Sequence, residues 1–276
     1  MKGAKNKLKE KEPIHILLTN DDGIHAEGIR VLSQILHEEH QGIKLSIVAP
    51  DRERSAIGHA ITMHRPLRVE EVSLLHNSGL RGSAVNGTPS DCVKLAVEAL
   101  LDDRPDLIIS GINRGSNLGT DILYSGTVSA AVEGVMHGIP SMAVSLTEGG
   151  KSDDFAYAAR FVGKLVRRFF ANGLPEATLL NINVPPGGAK VKGARATTLG
   201  IRRYRNAFDC RVDPRGMQYY WLAGDVVEDD PEEESSDTRA VREGFISLTP
   251  IYFQLTNHEA LPALKKILDW PGLLPQ

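Results

Sequence analysis

The chain has 276 residues, 41% of them hydrophobic and 24% charged, with a formal net charge of −3 at pH 7. This composition supports a sizeable buried core, and it supplies no basic field of the kind that holds a DNA or RNA duplex by charge alone. The length suits one α/β core with an appendage.

The chain begins with Lys2, Lys5, Lys7, Lys9 and Lys11 interleaved with Glu10 and Glu12. That is charge without the apolar centre of a secretory signal, and residues 1–13 read as a disordered tail. No stretch approaches the roughly 18 to 20 apolar residues of a membrane span. Two cysteines, Cys92 and Cys210, stand far apart without a Cys-x-x-Cys partner. Structural zinc and a disulfide framework are therefore disfavoured, and a cytoplasmic location without membrane contact is expected.

After the tail, Ile14 to Thr19 reads as a strand, and Ala26 to Glu39 as a helix carrying Ile29, Leu32, Ile35 and Leu36 on one face. Ile43 to Ala49 is a β-branched strand, Asp91 to Leu101 a helix with Cys92 as a buried small hydrophobe, and Asp106 to Ser110 a strand. Thr127 to His137 is helical, Pro140 to Leu146 extended, Phe155 to Phe170 helical and Thr178 to Val184 extended. Short apolar strands alternating with amphipathic helices predict a Rossmann-like, doubly wound, mostly parallel sheet over residues 14–186.

Beyond Pro186 the texture changes. The basic cluster Arg202 to Arg205 reads as a charged hairpin or subunit interface, or as an entrance that attracts anions. Tyr219, Tyr220 and Trp221 follow, and the acidic run Glu228 to Asp237 reads as a solvated loop. Extended pieces at Met217 to Leu222 and Phe245 to Thr249, and a helix from Glu259 to Leu268 before Trp270 and Pro271, make residues 187–276 a β-rich extension with a C-terminal helix.

Doubly wound sheets bind ligands outside the carboxyl ends of their strands. Three unusual loops follow predicted strands: Thr19 to Gly23 (T-N-D-D-G), Ala49 to Ser55 (A-P-D-R-E-R-S) and Ser110 to Gly119 (S-G-I-N-R-G-S-N-L-G). Adjacent Asp21 and Asp22 converge only on a turn beyond the strand, where Gly23 helps, and a hard divalent cation would relieve their repulsion. A plain strand-end turn capping the next helix explains the pair equally well. Ser55, Asn113 and Asn117 add oxygen donors without clustered His or Cys, which favours Mg²⁺ or Mn²⁺ over zinc or copper. Ser125, Gly126 and Thr127 precede a helix of small residues. They are either its N-cap or a phosphate seat built from free N–H groups. Asn86 to Asp91 (N-G-T-P-S-D) opens another helix in a similar way.

T-N-D-D-G, A-P-D-R-E-R-S-A-I-G-H, G-T-P-S-D-C-V-K-L-A, S-G-I-N-R-G-S-N and Y-S-G-T-V-S-A-A together resemble the signature blocks of the SurE (survival protein E) family, in that family's order. N-I-N-V-P at Asn181 to Pro185 and A-V-R-E-G-F-I-S-L-T-P at Ala240 to Pro250 extend the similarity. The resemblance implies one divalent metal ion per subunit (Mg²⁺ or Mn²⁺) on Asp21, Asp22, Ser55 and Asn113. It places Asn20, Asn117, Ser125, Gly126 and Thr127 around the substrate phosphate. It also implies a C-terminal extension exchanged within homodimers or homotetramers. The implied activity is hydrolysis of nucleoside 5'-monophosphates, with action on 3'-monophosphates and short polyphosphate. The Lys-rich tail departs from the family's usual start close to the first strand and touches no site residue.

The mechanism expected is metal-assisted attack of water on phosphorus, in line with the leaving ribose oxygen, with Asp21 and Asp22 catalytic. Asp21 is the candidate base and His59 the candidate proton donor to the leaving oxygen. An aspartyl-phosphate route usually shows an Asp-x-Asp pair and a dedicated lysine, neither of which is found. A non-catalytic nucleotide-binding module remains the alternative from another class. A dinucleotide oxidoreductase is disfavoured, because carboxylates stand where a pyrophosphate would rest.

Overall fold

The computed structural model of the chain describes residues 13–74, 79–173, 177–206, 208–227 and 234–268. The tail before Pro13, acidic residues 228–233, Trp270 and Pro271 lie outside the described residues.

Strand β1 (Ile14–Thr19) is buried along its whole length. Its side chains alternate between two cores: Ile16 and Leu18 join one apolar cluster, while Leu17 joins another with Val48, Cys92, Val93 and Ile108. A strand apolar on both sides is what a parallel sheet covered on both faces requires. The expected burial of Cys92 is thus observed.

Around β1 the elements are α1 (Glu27–Glu39), β2 (Ile43–Pro50), β3 (Val69–Ser73), β4 (Arg81–Val85), α2 (Pro89–Leu95, continued by one wide turn, Ala96–Leu100) and β5 (Leu107–Arg114). Then come α3 (Gly126–Met136), β6 (Ser141–Leu146), α4 (Ser152–Asn172) and β7 (Thr178–Val184). Helices α1 and α4 pack together on one face of the sheet, and α2 and α3 on the other. Helix α2 starts at Pro89 rather than Asp91. Thr88 caps it, Pro89 occupies the first turn, and the Asp91 carboxylate reaches back to the Thr88 N–H.

The remaining elements are β8 (Ala194–Ala196), β9 (Tyr204–Arg205), β10 (Phe208–Val212), β11 (Gln218–Leu222), β12 (Asp225–Val226), α5 (Asp237–Arg242), β13 (Ile246–Tyr252) and α6 (Leu261–Leu268). The central sheet has nine strands in the order β3-β4-β2-β1-β5-β6-β7-β13-β8. Its inner strands are parallel, whereas β3 and β13 run antiparallel to their neighbours β4 and β7. The chain leaves β1 on one side toward β2 and returns on the other as β5. The switch point, and with it the crevice for a ligand, lies above the carboxyl ends of β1 and β5.

Three observations differ from the sequence reading. First, β13 and β8 come from beyond Pro186 yet join the main sheet, so the core does not stop at residue 186. The β10–β11 hairpin and the β9–β12 ribbon do form separately from it. Second, Gly111 to Arg114 belong to β5 rather than to a loop, and one extra residue bulges against β6 between Ser110 and Asn113. Gly111 has φ +138°, and a Cβ there would stand 2.3 Å from the Val144 carbonyl oxygen, so the bulge requires glycine. Third, Asp237, the last residue of the acidic run, is fully buried. Its Oδ2 accepts from the Gly119 N–H at 2.9 Å, and its Oδ1 accepts from Gly200 N–H at 2.9 Å and Thr238 N–H at 2.8 Å. Three backbone donors make it a tie between the extension and the site rim instead of a solvated charge.

Candidate active site

Four chain segments meet above the switch point. The Asn20 to Gly23 turn docks under the loop after β2: the Arg54 N–H donates to the Asp21 carbonyl at 2.7 Å, and the Ile24 N–H to the Pro50 carbonyl at 2.8 Å. Gly23, at φ +96°, lets the two backbones close to a distance at which a Cβ would stand 3.0 Å from the Arg52 carbonyl carbon. From β5, the Arg114 N–H donates to Asp22 Oδ2 at 3.0 Å. From α3, the Thr127 hydroxyl and backbone N–H both donate to the Asp21 carboxylate. The start of that helix lies so close that a Cβ on Gly126 would stand 2.8 Å from Asp21 Cβ.

The electrostatics of this corner follow from burial. Desolvation pushes Asp21 from an ordinary 3.8 up to about 6; the Thr127 hydrogen bond opposes the shift and the neighbouring Asp22 charge adds to it. Asp22 is raised as well, first by burial and further by the Glu53 charge, against the stabilising Arg114 N–H. Two adjacent carboxylates that resist ionisation are stabilised as anions by a cation held between them. Among the described residues no group of three or more His, Cys, Asp or Glu side chains is placed to hold a metal, so the donors here are mixed: carboxylate, hydroxyl and amide. Among the described residues the buried Asn20 Oδ1 has no hydrogen-bond partner, and the Asn20 NH₂ is fixed to the Gly23 carbonyl at 2.8 Å, so this oxygen sits beside the pair. These residues fit a hard divalent ion.

The other expected donors are placed as follows. Ser55 lies on the exposed loop after β2 and donates to Glu53 Oε1 at 2.6 Å. Asn113 sits near the end of β5 with its NH₂ on the Gly115 carbonyl at 2.9 Å. Ser125 caps α3, its hydroxyl accepting from the Val128 N–H at 3.1 Å. Asn117 is buried and committed. Its N–H donates to Asn183 Oδ1 and its NH₂ to Ser145 Oγ, both at 2.8 Å, while its carbonyl accepts from Asn181 and Asn183. His59 Nε2 lies 2.7 Å from Oε2 of the buried Glu133 on α3. Arg202, singled out as a possible anion attractor, is paired with Asp121 at 3.0 Å, and the Tyr204 hydroxyl donates to the same carboxylate.

Glu133, Asp237 and the Asn181–Asn183 pair escaped the sequence reading, yet each carried a signal. Glu133 is the lone charge in a helix of small and apolar residues. Asn181 and Asn183 are alternate polar residues in a strand buried from Leu179 onward, and so share one face. Asp237 was masked by its acidic neighbours. The Asn86 to Asp91 segment is a cap, as one of its two readings had it, and it also clasps the loop after β2: Thr88 Oγ1 donates to the Ala60 carbonyl, and the Thr62 N–H to Asp91 Oδ1.

Comparison with known proteins bears on this arrangement. The family described as "Survival protein SurE" matches residues 16–206. A protein named 5'-nucleotidase SurE from Pelotomaculum thermopropionicum is 54% identical over 261 residues, covering 95% of this chain and 98% of its own. Another of that name from Gloeobacter violaceus is 55% identical over 262 residues, covering 93% and 98%. The crystal structure of the SurE protein from Aquifex aeolicus superposes with a TM-score of 0.78 at 37% identity, covering 92% of this chain and all of that one. With this sheet and this site at its switch point, the chain belongs to the SurE family.

Proposed function

We propose that the chain is a 5'-nucleotidase, a metal-dependent phosphatase that hydrolyses nucleoside 5'-monophosphates to nucleoside and phosphate. Its range would extend to 3'-monophosphates and short polyphosphate. The observation that carries this reading is Asp21, a desolvated carboxylate pushed up to about 6, set beside Asp22 and against the N-terminus of α3. A carboxylate pair supplies the seat for a cation, and a helix N-terminus beside it supplies N–H groups for a phosphate. The names of the relatives point to the same reaction.

Asp21, Asp22, Ser55 and Asn113 would hold one Mg²⁺ or Mn²⁺ per subunit. When bound, that ion supplies charge neutralisation of the phosphoryl oxygens. Ser125 and Gly126 at the start of α3, with Asn20, orient the phosphate. Thr127 and Asn117 contribute by holding Asp21 and the 115–119 loop, since hydrogen bonds already occupy their side chains. Asp21 takes the proton from the attacking water, its carboxylate being set beside Asp22 and the start of α3. Asp22 shares its charge, and His59 returns a proton to the leaving ribose oxygen.

The extension from residue 187 would mediate a homodimer or homotetramer, consistent with Phe208, Tyr220, Trp221 and Leu222 standing exposed on the β10–β11 hairpin. No helix among the described residues is long and apolar enough to cross a membrane.

The test is phosphate release from a panel of nucleoside 5'- and 3'-monophosphates, comparing chelated protein with protein resupplied with Mg²⁺ or Mn²⁺. Metal-restored release is expected. Folded, metal-loaded protein that releases nothing would instead point to a nucleotide-binding module.

A further inference from the structure

Glu133 is 3% exposed on α3, two turns beyond Thr127, and no step above uses it. Its two oxygens divide their partners. Oε1 faces His137 Nε2 at 3.2 Å and Lys94 Nζ at 3.7 Å, both on the helices that form its own core. Oε2 faces only His59 among the described partners, at 2.7 Å, and His59 belongs to the loop after β2. The His59 contact is also the first of those that hold the Glu133 carboxyl below its usual range, ahead of Lys94 and His137. It ties a partly exposed loop to α3. Nearby, the Gly58 N–H donates to the Tyr124 carbonyl at 3.0 Å, next to Ser125. Ser55 begins the same loop.

We propose that Glu133 is a positioning residue, which holds the Ser55 to His59 loop against α3 and so sets His59 over the phosphate seat. The proposal rests on the phosphatase reading for its catalytic part. A carboxylate on Nε2 favours a proton on that nitrogen, leaving Nδ1 as the ring atom that exchanges a proton with the leaving oxygen. Freed from Glu133, the ring could turn and either nitrogen could face solvent.

The experiment compares Glu133→Gln, His59→Ala and the double variant in the full-length protein with Mn²⁺. Two readouts are taken: hydrogen exchange of residues 56–62, and kcat and KM for a nucleoside 5'-monophosphate. His137→Gln is the control, expected to keep wild-type kcat because it faces Glu98 and, of the two Glu133 oxygens, only Oε1. Glu133→Gln should speed exchange in the loop and lower kcat about tenfold or more with KM little changed, the signature of lost orientation rather than lost binding. His59→Ala should cost as much, and the double variant no more than either single one. Wild-type exchange at 56–62 in Glu133→Gln, or additive losses in the double variant, would overturn the proposal. Should Glu133→Gln fail to fold, His59→Ala alone decides: unchanged exchange and unchanged kcat refute it. A wild-type protein without phosphatase activity would sink the catalytic reading, while the exchange data still judge the tie between loop and helix.

Discussion

Replacing Asp21 with Asn should stabilise the metal-free protein while abolishing turnover. Asp21 is raised from 3.8 to about 6, which corresponds to about 3 kcal/mol of folding free energy lost when this side chain is ionised in the fold. The sign follows from the direction of the shift. Near pH 4 and below, Asp21 is protonated in the fold and the cost is absent. As pH rises through about 6 the folded protein must ionise it, and above that the full cost applies. Asn carries no charge, can still accept from the Thr127 hydroxyl, and ends the repulsion with Asp22. Its new NH₂ needs a partner, so the expected gain is about 1 to 3 kcal/mol at pH 7.5, shrinking toward zero near pH 4.

The assay is urea unfolding of both proteins in chelator at pH 7.5 and pH 4.5, repeated at pH 7.5 with Mn²⁺. A ligand at about a hundred times its Kd adds about 2.7 kcal/mol to the state that binds it. Wild type should therefore close most or all of the gap to the variant when metal is added, and the variant should gain little. An Asp21→Asn protein that is less stable than wild type in chelator, or that gains as much from Mn²⁺, would refute the account of Asp21 as a desolvated metal ligand.

Gly126→Ala should leave the chain folded but lower both metal affinity and kcat/KM, by about tenfold or more, because its methyl would stand 2.8 Å from Asp21 Cβ and displace that carboxylate; calorimetric metal titration and steady-state rates check it. Asp237→Ala should destabilise by about 2 to 4 kcal/mol in urea titrations, since it leaves the buried Gly119 N–H and the half-buried Gly200 N–H without their acceptor. Trp221→Arg on the exposed β11 strand should reduce the mass seen by light scattering to that of a monomer, without altering the far-ultraviolet circular dichroism of the core.

The strands of the parallel core were legible because a strand covered on both faces is mostly apolar, and β1, β6 and β7 are short apolar runs interrupted only by His15, by Ser145 and by Asn181 and Asn183. The β3–β4 hairpin was not. Val69 to Ser73 lies exposed at the sheet edge with two glutamates, and Arg81 to Val85 carries a glycine in mid-strand. That glycine is there because Ile24 and Ile47 approach Gly82 so closely that a Cβ would meet them at 3.1 and 3.2 Å, a tertiary constraint that no local propensity records. The same holds for β5, which continues past Ser110 only because the Gly111 bulge fits beneath Val144.

The site shows the same division. Asp21, Asp22, Ser55 and Asn113, at or beyond the ends of predicted strands, could be put forward on oxygen-donor chemistry, although a strand-end turn explains the Asp pair equally well. The supports could not, because each joins positions remote in sequence: Asp21 to Thr127, Asp22 to Arg114, His59 to Glu133, Gly119 to Asp237. Their common feature is that a buried or half-buried charge is held by donors from another segment. Burial of these charges costs stability, the Thr127 and Arg114 donors offset part of that cost for Asp21 and Asp22, and a cation would offset more. On the metal-dependent reading proposed above, the ion that assists the reaction would also relieve the desolvated, mutually repelling charges of Asp21 and Asp22.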